Sequence, residues 1–153
     1  DLSVRFGGVL AVNKVGFDVR RGEVFTLIGP NGAGKTTVFN LISRIYTPTS
    51  GSIEFEGHSL AEVAPHRIAE LGIAMCPEGR QMFPEMTVLE NLRMGAYTRR
   101  RDDLDESLDE VMALFPRLRE RARQDAGTLS GGEQEMVLLT GAYHNLVRGW
   151  AEL

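Results

Sequence analysis

Apolar residues alternate with polar or small ones at Val15, Phe17 and Val19, the two-residue period of a strand with one buried face. Arg21-Gly22-Glu23 then turns the chain into Val24-Phe25-Thr26-Leu27-Ile28. Such a short apolar run predicts a strand buried on both faces of a parallel sheet. Residues 29–34 are glycine-rich, and beyond them Val38, Leu41, Ile42 and Ile45 recur at helical spacing. Thr47-Pro48-Thr49-Ser50-Gly51 stops that helix. Ile53 and Phe55 predict a short strand closed by Glu56-Gly57. Pro65 to Leu71 predicts a short helix with proline in its first turn, and residues 73–76 a buried strand.

Two later helices carry clearer signals. Thr87 and Glu90 have the spacing of a capping box, in which hydroxyl and carboxylate satisfy each other's free N–H groups. Leu104, Leu108, Val111, Met112 and Phe115 form one stripe, with Asp105, Glu106, Asp109 and Glu110 off it. That amphipathic helix ends at Pro116. Arg99-Arg100-Arg101 is followed at once by acidic residues and predicts a solvated loop with local pairing.

Composition narrows the classes. Hydrophobic residues make up 42% and charged residues 25% of the 153 residues, enough apolar surface for a core and against disorder. A formal net charge of -4 argues against a dedicated nucleic-acid binder, which carries a basic face. Cys76 is the only cysteine, which excludes an internal disulfide and a cysteine-based zinc cluster. The apolar stretches 24–28 and 136–139 fall far short of the ~20 residues that span a bilayer. The expectation is a soluble chain of a reducing compartment. Residues 2–6 read as a strand already in progress without an initiator methionine, which predicts a cut end.

Gly29-Pro30-Asn31-Gly32-Ala33-Gly34-Lys35-Thr36 matches G-x-x-x-x-G-K-[ST]. Glycines let the backbone wrap a polyphosphate and aim several N–H groups at its oxygens. The loop opens a helix, so the positive end of the helix dipole meets the same anion. Lys35 reaches β- and γ-phosphates and the Thr36 hydroxyl ligates Mg²⁺. A preceding apolar run and a following periodic helix supply the right context. A GTPase lacks support, since the only Asn-Lys pair, Asn13-Lys14, precedes the loop. A small-molecule kinase fits the loop equally well, so other residues must decide.

Leu129-Ser130-Gly131-Gly132-Glu133-Gln134 supplies the deciding pattern. Ser130 and Glu133 form a second capping box, placing another helix start with exposed N–H groups beside two glycines. This is a second anion-binding nose, and one nucleotide rarely needs two. It therefore points to a nucleotide held elsewhere.

Together the two motifs resemble the nucleotide-binding subunit of ABC transporters, with GPNGAGKTT as Walker A and LSGGE as the signature. The resemblance runs from Leu2 to about Met136. It implies an α/β P-loop NTPase fold with an ATP core over residues 1–77, a helical subdomain over 78–125 and a signature helix with divergent tail over 126–153. It implies that Phe6 stacks on adenine with Val12 nearby, and that Thr37 contacts the α-phosphate. Glu78 stands where most of the family carries the Q-loop glutamine; an oxygen there would still touch Mg²⁺ or the attacking water, with added negative charge. Residues 76–80, 83–92, 114–118 and 126–134 look like one ATPase subunit of branched-chain amino acid importers, and 5–8 through 36–40 more like the other.

The resemblance further implies ATP and Mg²⁺ as cofactors and head-to-tail pairing with a second, non-identical ATP-binding subunit. It implies permease partners, no nucleic acid, and a cytoplasmic position on the inner face of the plasma membrane. Residues 78–97, with Met82, Phe83 and Met86, are the implied docking surface. The likeness fails after Gln134: Gly141 replaces the family's arginine, and no apolar strand ending in Asp-Glu follows. The fold is thus expected to be truncated before the Walker B strand, leaving the ATPase without its catalytic glutamate. His144 is no substitute, and His58 and His66 are expected at the surface. Two alternatives stay open: a non-transport ABC protein, and an ATP-binding fragment without hydrolysis.

Overall fold

The structure, a computed structural model, describes residues 1–77, 79, 81–97 and 101–146, except the side chains of 101–103 and 143–146. Glu78, Arg99, Arg100 and the tail from residue 147 therefore lie outside the described residues. The chain divides into two compact units, Asp1–Ile68 and Ala69–Leu153.

The first unit opens with an antiparallel hairpin, β1 (Leu2–Phe6) and β2 (Val9–Val15), with Val4 opposite Val12 and Phe6 opposite Val9. One face of the hairpin packs on helix α1 (Lys35–Ile42): Leu2, Val4, Val12, Val38 and Leu41 are all buried. The helix is shorter than the apolar pattern predicts. Arg44 has a φ of 60°, which breaks the helical path, and the Tyr46 N–H donates back to the Asn40 carbonyl at 3.0 Å. Ile45 is consequently 62% exposed. The expected short strand is present as β3 (Glu54–Phe55), closed by the Glu56-Gly57 turn, and it pairs with a strand the sequence did not suggest, β4 (His58–Ser59); His58 and His66 are exposed as expected.

Three predicted strands are absent. Residues 17–19, 24–28 and 73–76 follow no ladder, and the two sheets among the described residues are two-stranded and antiparallel. A strand needs hydrogen-bonding partners, and no described segment completes a ladder with these. Val24 and Ile28 are accordingly 94% and 88% exposed, while Phe25 stacks on Phe17 with ring centroids 4.7 Å apart.

The second unit is helical: α2 (Val88–Gly95), α3 (Arg101–Leu114), α4 (Pro116–Glu120) and α5 (Gly131–Leu146), with 3-10 turns at Pro65–Leu71, which straddles the two units, and at Ala126–Thr128. The expected Thr87–Glu90 capping box starts α2, with both reciprocal bonds present. The predicted stripe of α3 buries Leu108 and Val111 against Val88, Leu92, Leu118, Leu129 and Val137. Pro116 ends that stripe and takes the first turn of α4. α2 and α5 cross closely where Gly95 meets Gly141: a Cβ on Gly95 would collide with the Gly141 backbone.

Candidate functional site

The glycine-rich loop is held by its own lysine. Lys35 Nζ donates to the carbonyls of Gly29 at 2.7 Å and Pro30 at 2.8 Å, drawing the ammonium over the loop. Within the loop the Ala33 N–H donates to the Pro30 carbonyl at 3.2 Å, while Asn31 and Gly32 are exposed. Gly34 caps α1 at a φ of 87°, in the left-handed region that favours glycine. A Cβ there would also lie 2.5 Å from the Ala11 carbonyl oxygen, so two independent constraints demand glycine.

Val38 makes the first helical bond back to the Gly34 carbonyl, leaving the N–H groups of Lys35, Thr36 and Thr37 for an outside acceptor. The first turn of α1 contains no acidic residue, so nothing there cancels the dipole. Thr36 is exposed and Thr37 half-buried. This donor set fits a polyphosphate: converging N–H groups, an ammonium and a hydroxyl, with no carboxylate in the turn. A divalent cation fits beside it through the Thr36 hydroxyl; Glu78, the other implied ligand, lies outside the described residues.

Phe6 is 43% exposed and meets Tyr46 edge-on, with centroids 4.9 Å apart. Val12 is buried at 4% and belongs to the hairpin core. It also lines a cavity of about 320 Å³ between β2 and the loop, together with Leu10, Asn13, Ala33, Gly34 and Lys35.

The second motif sits at the start of α5. Leu129 anchors it in the helical core at 6% exposure, and Ser130 stands exposed before the first turn. Glu133 turns back: its Oε2 accepts the Ser130 N–H at 3.0 Å and the Ser130 hydroxyl at 2.7 Å. Gln134 also folds back, its Nε2 3.4 Å from the carbonyls of Ala126 and Gly127. The N–H groups of Gly131, Gly132 and Glu133 precede the first helical bond, which Gln134 makes to the Ser130 carbonyl. The N-terminus of α2 differs, because its Val88 and Leu89 N–H groups donate to the Gln124 and Ala122 carbonyls.

The ABC transporter family model matches residues 12–146. The chain belongs to that family. Among ABC relatives it resembles the high-affinity branched-chain amino acid transport ATP-binding protein BraG of Pseudomonas aeruginosa. Identity is 44% over 138 residues, covering 90% of this chain and 59% of the relative. It is also 37% identical to BraF of the same organism, named for the same transport, covering 89% of this chain and 60% of the relative. A solved ATP-binding subunit of an ABC transporter superimposes with a TM-score of 0.81 at 30% identity, over 95% of this chain and 60% of that one. The chain thus spans about three fifths of the length of these relatives. The expected P-loop ABC ATPase fold is therefore present in the trace, even where strand hydrogen bonds are not.

Sequence reasoning missed two contacts, one at the start of α5 and one beside the start of α2. Arg121 Nε pairs with Glu133 Oε1 at 2.9 Å, twelve positions upstream and on no shared period. Asn91 is buried and bonds the Phe83, Met86 and Thr87 carbonyls while accepting the Phe83 N–H. Its place after the capping box was the only available signal.

Proposed function

We propose that this chain belongs to an ATP-binding subunit that powers import of branched-chain amino acids through an ABC transporter. The observation that carries the reading is the pair of helix starts, α1 with Lys35 over its loop and α5 with Ser130 and two glycines, in a chain 44% identical to a branched-chain amino acid transport ATP-binding protein. The loop N–H groups and Lys35 hold the β- and γ-phosphates, and Thr37 meets the α-phosphate. Phe6 takes the adenine, with Val12 behind it. Mg²⁺ would be held by Thr36 and Glu78 and would supply charge neutralisation at the phosphate oxygens.

The two helix starts serve different nucleotides. Lys35 and its loop enclose one side of their own triphosphate, and residues 129–134 close over the one held by a second, non-identical ATP-binding subunit. Binding energy spent at that interface shifts the pair toward a closed state. Residues 78–97 dock on the permease subunits, placing the chain on the cytoplasmic face of the membrane. The organisation proposed is an ATP core over 1–77, a helical subdomain over 78–125 and a signature segment from 126.

The experiment mixes the complete subunit with its partner and a non-hydrolysable ATP analogue. Lys35→Ala removes charge-assisted bonds worth roughly 1.5–3 kcal/mol each, so affinity for a fluorescent ATP analogue should fall at least about tenfold. Ser130→Arg should leave that affinity unchanged and abolish ATP-dependent dimerisation, read by light scattering. Equal ATP binding by Lys35→Ala, or undiminished dimerisation by Ser130→Arg, overturns the assignment.

A further inference from the structure

An anion site that contains a carboxylate must have that charge cancelled. Glu133 lies in the first turn of α5, within one turn of the N–H groups of the helix start proposed above to close over a partner's nucleotide. Its side chain is only 13% exposed. Oε2 takes both donors of Ser130, which fixes the serine but leaves a full negative charge at the mouth of the site.

Arg121 meets that charge. Its Nε lies 2.9 Å from Glu133 Oε1, the oxygen that Ser130 does not use. The guanidinium is itself held, because its Nη1 donates to Gln124 Oε1 at 3.1 Å. Gln124 Nε2 in turn donates to Thr128 Oγ1 at 2.8 Å, and the Thr128 hydroxyl to the Asp125 carbonyl at 2.7 Å. Arg117, one turn earlier, is engaged with Glu120 at 2.9 Å and is 63% exposed. Arg121 is thus the cation built into the site, and Arg117 only adds to its field.

We propose that Arg121 is a positioning residue of the signature site. It neutralises Glu133 and holds it on Ser130, so that the N-terminus of α5 can accept a phosphate from the partner subunit's nucleotide. This rests on the head-to-tail reading above. Hydrogen bonds from the Ser130 hydroxyl and N–H hold the Glu133 carboxyl below its ordinary range, and Arg121 and Arg117 act in the same direction. The group is therefore an anion at neutral pH and requires the counter-charge.

The test uses the complete subunit, its partner and a non-hydrolysable ATP analogue, with dimerisation followed by light scattering. Like charges left facing each other cost several kcal/mol, so Arg121→Met should raise the analogue concentration for dimerisation at least about tenfold. Fluorescent ATP binding at the Lys35 loop and the urea midpoint are the controls that separate this from misfolding. Arg121→Lys, which keeps the charge, should recover most of the loss. The pair Glu133→Gln and Arg121→Met/Glu133→Gln decides independently of whether Arg121→Met folds, since neither leaves an unpaired carboxylate. Equal midpoints for these two are expected; a further loss on removing Arg121 overturns the proposal. So does wild-type dimerisation by Arg121→Met. A wild type that stays monomeric at saturating analogue, with Lys35-dependent ATP binding intact, overturns the head-to-tail reading and this inference with it.

Discussion

Glu90 and Glu133 each accept hydrogen bonds from the residue three positions earlier, and those bonds make their charge part of the fold. Thr87 donates both its N–H and its hydroxyl to Glu90 Oε2, at 2.8 and 2.7 Å, as Ser130 does to Glu133. In both cases the hydroxyl bond is the leading cause of a carboxyl held below its ordinary value of 4.5. A carboxyl lowered by folding stabilises the fold above its unfolded value and loses that contribution as pH falls through its folded value. Thermal midpoints should therefore hold from neutrality to about pH 4.5 and then decline as these two caps protonate. Glu90→Gln and Glu133→Gln should each flatten that acid limb, measured by circular dichroism across a pH series; unchanged limbs would show that other carboxylates set it. The Thr87–Glu90 box and the Ser130–Glu133 pairing were legible in the sequence because such contacts are local, a hydroxyl and a carboxylate at fixed spacing. Arg121 was not, because its contact with Glu133 depends on how α4 meets the start of α5. Gly34 was legible as a phosphate-loop glycine, but the Ala11 carbonyl that excludes any Cβ belongs to β2 and emerges only in three dimensions.

At the scale of elements, helices were read well and strands poorly, for one physical reason. A helix satisfies its hydrogen bonds within itself, so the stripe of α3 and the box of α2 sufficed to find them. The run 24–28 carries an equally strong apolar signal, yet it is no strand where no neighbour among the described residues completes its ladder. Helix crossings are also nonlocal, and the one between α2 and α5 yields an asymmetric prediction. A Cβ on Gly95 would strike Gly141 backbone, whereas a Cβ on Gly141 would sit 3.6 Å from Gly95 Cα, an ordinary contact. Gly95→Ala should therefore destabilise the helical unit by about 1–3 kcal/mol, the usual cost of overpacking. Gly141→Ala should be tolerated or slightly stabilising, since glycine inside a helix costs about 1 kcal/mol relative to alanine. Urea unfolding of the two variants checks this, and equal losses would mean the helices do not cross at these glycines. The sequence marked Gly141 only as a departure from the family's arginine; the crossing gives it a packing role.

For the whole molecule, the question is which apolar side chains serve its own core and which face a partner. Within residues 78–97, Met82, Phe83 and Met86 were equivalent in the sequence, all apolar beside the Q-loop position. The structure separates them. Met82 is half-buried and packs on the cluster containing Val88, Leu92 and Val137. Phe83 is 51% exposed, while its backbone N–H and carbonyl are both held by the Asn91 side chain. The loop is thus fixed by a buried amide whose bonds would cost about 1–3 kcal/mol to leave unmade, and an aromatic ring is held outward on that fixed loop. A ring kept in water by a rigid support suits the docking on a permease proposed above, since large aromatic side chains dominate interface energetics. Phe83→Ser in the complete transporter should leave the urea midpoint and ATP affinity near wild type and lower substrate-stimulated transport at least about tenfold, the loss of a typical aromatic hot spot. Met82→Ser should do the reverse in kind, destabilising the helical unit by about 2–4 kcal/mol through loss of packing and burial of a hydroxyl. Transport in membrane vesicles beside urea melts of the purified subunit separates the two. If Phe83→Ser melts early and Met82→Ser uncouples, docking runs through the Met82 side and the exposed ring is structural.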